Sequence, residues 1–185
     1  MGFSSGGAIA QHVALDHPES VLSLILVISG AKLGSAGRDT CLRWLGLVQA
    51  GQWARLREEL FRSAFDGDVS GLLTEAYTRL PGEAQPADPV DARDFLTILT
   101  ALVSEDTSVR LPYLSTRTLI IGGGQDPFYP EAELREMAGA IPRATLLMRS
   151  DREHGFAKQH AGELQDDVID FLLHQTSDHP LRNRP

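Results

Sequence analysis

The chain has 185 residues, a formal net charge of −8 and no block of Lys or Arg, which speaks against a nucleic-acid or anionic-membrane partner. Apolar residues make up 42% and charged residues 23%, the balance of one soluble domain with a sizeable core. Cys41 is the only cysteine, so no intramolecular disulfide can form, in keeping with a reducing, cytoplasmic location. The first residues lack the basic-then-apolar pattern of a secretory leader, and no apolar run is long enough to cross a bilayer.

The chain opens on MGFSSGG, where Gly2, Ser4 and Gly6 fit the pattern Gly-x-Ser-x-Gly. Residues 5–17 predict a helix: Ile9 with Val13 and Ala10 with Ala14 recur at helical spacing, and Pro18 ends it. Its histidines, His12 and His17, are expected on a solvated face. Residues 21–29, VLSLILVIS, are almost continuously aliphatic and predict a strand buried on both faces, as in a parallel sheet. From 38 to 110 the character changes. Helical periodicity covers 38–65 with a break at Gly51, 69–80 and 90–106, with a Pro-rich loop at 81–89. Trp44, Trp53, Phe61, Phe65 and Phe95 in this stretch suit either a helical core or a pocket wall.

Strand character returns at 118–121 and runs into glycines and Asp126. A helix is expected over 129–141, with Pro130 near its start and acids in its first turn. A strand at 144–148 follows, then Asp-Arg-Glu-His-Gly-Phe, then a helix over 161–175 with Leu164, Val168, Phe171 and Leu172 on one side. Alternating strands and helices predict an α/β fold with a short parallel sheet.

In open parallel sheets, chemistry gathers beyond the carboxyl ends of the strands. Asp126 follows one strand, His154 follows the next, and Ser4 opens the first helix. A serine hydroxyl is a weak nucleophile and needs an imidazole to take its proton. A carboxylate on the far ring nitrogen fixes the tautomer and stabilises the imidazolium. The Ser5 N–H, next after the nucleophile and at a helix start, is suited to an oxyanion. Gly2 and Gly6 are expected where a sharp turn leaves no room for side chains. With one cysteine and scattered histidines, no metal site is expected.

At these residues the sequence resembles the α/β-hydrolase fold family. G2-F3-S4-S5-G6 resembles its nucleophile turn, G123-G124-Q125-D126 the context of its acid, and H154-G155 that of its histidine. The resemblance divides the chain into a core piece at 1–30, a helical cap at 31–113, the rest of the core at 114–174 and a polar tail at 175–185. It implies a serine hydrolase that acts on a small-molecule carboxyl ester through an acyl-enzyme, without cofactor. Carbon–carbon cleavage in diketone-like substrates is the variant seen in capped members. The family has further strands before the nucleophile turn. Without them, Met1–Phe3 is expected to be poorly ordered, 21–29 to become a sheet edge prone to self-association, and turnover to be slow. An inactive remnant and an interaction protein pairing through that edge are the rival readings.

Overall fold

The computed structural model describes residues 1–64, 75 and 89–173. In chain order these form β1 (Gly2–Phe3), α1 (Ser5–Asp16), β2 (Leu24–Val27), α2 (Ser35–Gln49), α3 (Trp53–Ala64), α4 (Pro89–Ser104), β3 (Thr118–Gly123), α5 (Glu131–Ala140), β4 (Ala144–Arg149), α6 (Phe156–Gln159) and α7 (Ala161–Leu173). Short 3₁₀ turns at Pro18–Ser20 and Ser108–Tyr113 lead into β2 and β3. The four strands pair in parallel in the order β1-β2-β3-β4. The expected helix over 69–80 and the tail lie largely or wholly outside the described residues.

The sheet separates two apolar layers, as the two-residue period of a strand requires. Leu24, Leu26 and Ile120 pack with Ala14 of α1, with Leu134 and Met137 of α5, and with Trp44, Leu47 and Val48 of α2. Ile25, Val27, Leu119, Ile121 and Leu147 face the other way, onto Phe156, Leu164 and Phe171. All four residues of β2 are buried, which explains why its sequence does not alternate. Phe171 is fully buried, a contribution of about 1.5–3 kcal/mol. The Arg117 guanidinium lies 3.7 Å from the centroid of its ring.

Three expectations need correction. Met1–Phe3 is not a loose tail, because Gly2 pairs with Leu26 and Phe3 with Val27. β1 is therefore an edge strand that covers Leu26 and Val27 of β2, while Leu24 and Ile25 pair only with β3 among the described residues. Second, of the two recurring pairs in α1 only Ala10 and Ala14 face the core. The buried positions of α1 are Gly7, Gln11 and Ala14, while Ile9 is 68% exposed. The polar Gln11 is tolerated inside because its amide is fully used: Nε2 donates to the carbonyls of Gly7 and Gly30, and Oε1 accepts from Thr107 Oγ1 at 2.8 Å. Third, Leu172 of α7 is half-exposed, and Leu164, Val168 and Phe171 alone make the inward stripe. Among the described residues no helix is long and apolar enough to cross a membrane.

Candidate active site

The turn between β1 and α1 places Ser4. Its φ is 46° and its ψ −121°, a backbone conformation that costs an L-residue about 1–3 kcal/mol and persists only when its surroundings impose it. Ser4 N–H donates to the carbonyl of Val27 at 3.0 Å, and Gly7 N–H donates to the carbonyl of Ser4 at 2.9 Å. The strand and the helix therefore meet with no intervening residue other than the serine. Gly2 is required, since a Cβ there would lie 2.4 Å from the carbonyl oxygen of Gly6. The expected crowding at Gly6 is not found: a Cβ there meets nothing within 4 Å. The crowded position is Gly7, where a Cβ would sit 2.1 Å from Ser29 Oγ. The last glycine of the pattern faces open space, and its neighbour lets α1 approach the end of β2.

Asp126 and His154 are brought together by two loops laced through their backbones. Gly124 N–H donates to the Arg149 carbonyl at 2.8 Å, and Gln125 N–H to the Arg152 carbonyl at 2.9 Å. The run Gly122-Gly123-Gly124 makes this crossing possible. A Cβ on Gly123 would lie 2.4 Å from Arg152 O, and one on Gly124 would lie 2.6 Å from Ser150 O. β3 itself continues through Gly123, two residues beyond the apolar run, because Gly122 and Gly123 keep pairing with Met148 and Arg149.

The result is a continuous hydrogen-bonded row. Ser4 Oγ lies 2.9 Å from His154 Nε2, and His154 Nδ1 lies 2.7 Å from Asp126 Oδ2. An ionised carboxylate only accepts, so Nδ1 carries the proton and Nε2 is left to accept from Ser4. The Asp126 side chain is completely buried. Its second oxygen, Oδ1, accepts from the backbone N–H groups of Phe128 at 2.7 Å and Tyr129 at 3.2 Å. Those two rings flank the imidazole, with centroids 4.7 Å and 6.0 Å from it. Burial, and then the nearby charge of Asp126, hold the Tyr129 phenol well above its ordinary range. The Ser5 N–H opens α1 and is among the first-turn donors that a helix leaves without an internal acceptor.

A cavity of about 330 Å³ opens in front of Ser4 and His154. Among the described residues Leu33, Cys41, Trp44, Leu60, Phe61, Ser63, Leu102, Phe128 and Tyr129 also line it. Of the five aromatic residues left open between core and pocket, Trp44 and Phe61 line the cavity, while Trp53 and Phe95 pack against the core. Phe65 lies outside the described residues. The aliphatic wall residues carry no sequence signal that separates them from ordinary core. Phe128 and Tyr129 had one, since they directly follow the Asp-Pro pair at 126–127. Burial raises the Cys41 thiol to about 11.

His12 lies on the expected solvated face, its side chain 42% exposed, but it is paired there. Its Nε2 is 2.9 Å from Glu105 Oε1, and its Nδ1 faces Arg110, which also pairs with Asp16. The network ties α1 to the segment after α4, away from Ser4.

No protein-family model matches the chain. It is 30% identical over 175 residues to the 2-hydroxy-6-oxononadienedioate/2-hydroxy-6-oxononatrienedioate hydrolase of a Pseudomonas species, with 93% of this chain and 62% of that protein covered. It is 27% identical over 184 residues to polyketide synthase ThaQ of Burkholderia thailandensis, covering 93% of this chain and 8% of that protein. Among solved structures, an alpha/beta hydrolase enzyme from a Medee basin deep-sea metagenome library superposes with a TM-score of 0.82 at 17% identity. That match covers 97% of this chain and 66% of the other. The chain thus spans just under two thirds of the length of the hydrolases it matches. With a parallel sheet, flanking helices and these likenesses, the chain has the fold of part of an α/β hydrolase.

Proposed function

We propose that the chain is the nucleophile-bearing part of a serine hydrolase that cleaves a small carboxyl ester through an acyl-enzyme. The observation that carries this reading is the row Ser4 Oγ, His154, Asp126, with spacings of 2.9 Å and 2.7 Å, within hydrogen-bond reach for proton transfer. Ser4 Oγ attacks the ester carbonyl while His154 Nε2 takes its proton. The Ser5 N–H stabilises the oxyanion that forms. His154 then returns the proton to the leaving alcohol. Water attacks the acyl-enzyme as His154 accepts its proton, and Ser4 is released. Asp126 orients the ring and offsets the imidazolium charge. These steps need no cofactor. The helices between β2 and β3 serve in this reading as a cap over the cavity, and the single buried thiol suits the cytoplasm.

The test is hydrolysis of p-nitrophenyl acetate by the chain and by Ser4→Ala. The variant is expected to lose at least about 10³-fold in turnover. Equal rates in the two proteins would assign the hydrolysis to another group and end the proposal.

A further inference from the structure

The cavity has one reactive end and one apolar end, and the apolar end is organised around Trp44. The Trp44 indole N–H donates to Glu59 Oε2 at 3.1 Å, and the same oxygen accepts from Arg43 Nε at 2.9 Å. The Arg55 guanidinium lies 3.6 Å from the other oxygen. The polar edge of the indole is therefore tied to α3, and the Glu59 charge is matched by two arginines. Trp44 is 6% exposed. Its ring stands 5.6 Å from Phe128, whose ring stands 4.7 Å from His154. One aromatic wall thus runs from the imidazole to Trp44, and Leu60 and Leu102 line the same cavity.

Among the described lining residues there is no Lys or Arg. A carboxylate carried into this end would lose its water and gain no cation from the described lining, a cost of several kcal/mol in an apolar setting. An apolar chain gains from the same wall. The cavity of about 330 Å³ is at the small end of the range of about 300–1,000 Å³ for ligand pockets.

We propose that Trp44, held by Glu59, is the specificity-determining residue of this site. It makes the cavity an acyl pocket for a neutral, apolar chain of short to medium length and rejects a chain that ends in a carboxylate. The proposal rests on the reading of Ser4 as the nucleophile.

Alkyl fluorophosphonates test it without knowledge of the natural ester. Ser4 Oγ displaces fluoride at phosphorus, its proton passes to His154, and the adduct is located by peptide mass spectrometry. The hexyl reagent is expected to label Ser4 about 10²-fold faster than the 5-carboxypentyl reagent, since the carboxylate is stranded. In Trp44→Ala the dodecyl reagent is expected to gain about tenfold relative to the butyl reagent, as truncating a buried aromatic opens space. Trp44→Phe is expected to retain the wild-type order. Equal rates for the hexyl and carboxypentyl reagents would overturn the proposal on the wild-type chain alone, whatever the folding of the variants. An unchanged chain-length order in a folded Trp44→Ala, judged by circular dichroism, would also overturn it. Absence of a Ser4 adduct with every reagent would remove the nucleophile reading, and this proposal with it.

Discussion

The rim that carries Ser4, Asp126 and His154 and the helical wall that faces it are built by different means. At the rim, each side chain is fixed by its backbone. Ser4 sits in a strained turn bonded to Val27, and the loops of Asp126 and His154 are laced together over Gly123 and Gly124. Across the cavity, the wall depends on side chains: Trp44 against Phe128 and Glu59, Leu60 and Leu102 against their neighbours. The two regions meet where the first turn of α2 abuts the Asp126 loop. Gly34 N–H donates to the Phe128 carbonyl at 2.9 Å, and a Cβ on Gly37 would lie 2.6 Å from Phe128 Cα. Backbone-built geometry tolerates almost no change of residue, whereas a packed apolar wall tolerates exchange at similar volume. A site of this kind keeps its reactive groups while its cavity is free to vary.

The comparison breaks first at Gly123. Gly123→Ala forces a methyl group into the Arg152 carbonyl and parts the two loops. It is expected to lower stability by about 1–3 kcal/mol, read from a urea midpoint, and to slow modification of Ser4. A variant with the wild-type midpoint and rate would show that the lacing does not set the geometry. A second expected loss lies behind α1. Gln11→Ala strands the Gly30 carbonyl and leaves the Thr107 hydroxyl only the Ala31 carbonyl at 3.3 Å, at a cost of about 1–3 kcal/mol for a buried group left unpaired. Thr107→Val, combined with it, is expected to cost less than the sum of the two single changes, because both touch one network. Additive midpoints would mean that Gln11 and Thr107 act separately.

The remaining effects sharpen the contrast. Gly6→Ala places its methyl in open space in the first turn of α1, so stability is expected to rise by up to about 0.5 kcal/mol, less than for a glycine in a helix interior. A fall would show that this glycine is needed in the turn after all. The smallest effect belongs to Cys41 in the wall. Its thiol is raised from 9.0 to about 11 by burial, so the folded state disfavours the thiolate. The contribution is fully present below pH 9.0 and is lost as pH rises toward about 11. Replacing Cys41 with Ala is expected to flatten the fall in urea midpoint over that window relative to wild type. Identical slopes would mean that the thiol does not titrate with unfolding.

The sequence carries the rim and hides the wall for the same physical reason. A backbone-built site leaves compulsory residues: Ser4 between strand and helix, the glycine run before Asp126, and His154 after the last strand. The expected row of Ser4, His154 and Asp126 matches the observed distances because each residue follows a strand of one parallel sheet. Leu33, Leu60 and Leu102 look like any core leucine, and only tertiary packing turns them toward a cavity. Periodicity found α1 and the Ala10 and Ala14 row of its inward face but not Gln11, which is buried by hydrogen bonds that hydrophobic patterning does not count. β1 was invisible for another reason: two residues are too short for any strand pattern, and pairing with β2 alone gives them their place.

The central claim is that His154, oriented by Asp126, makes Ser4 nucleophilic. The most direct measurement is labelling with diisopropyl fluorophosphate, mapped by peptide mass spectrometry and repeated in His154→Gln. The adduct is predicted on Ser4, with labelling at least about 10²-fold slower in the variant, the scale of a lost general base. An adduct on a different serine, or equal rates in the two proteins, would contradict the account.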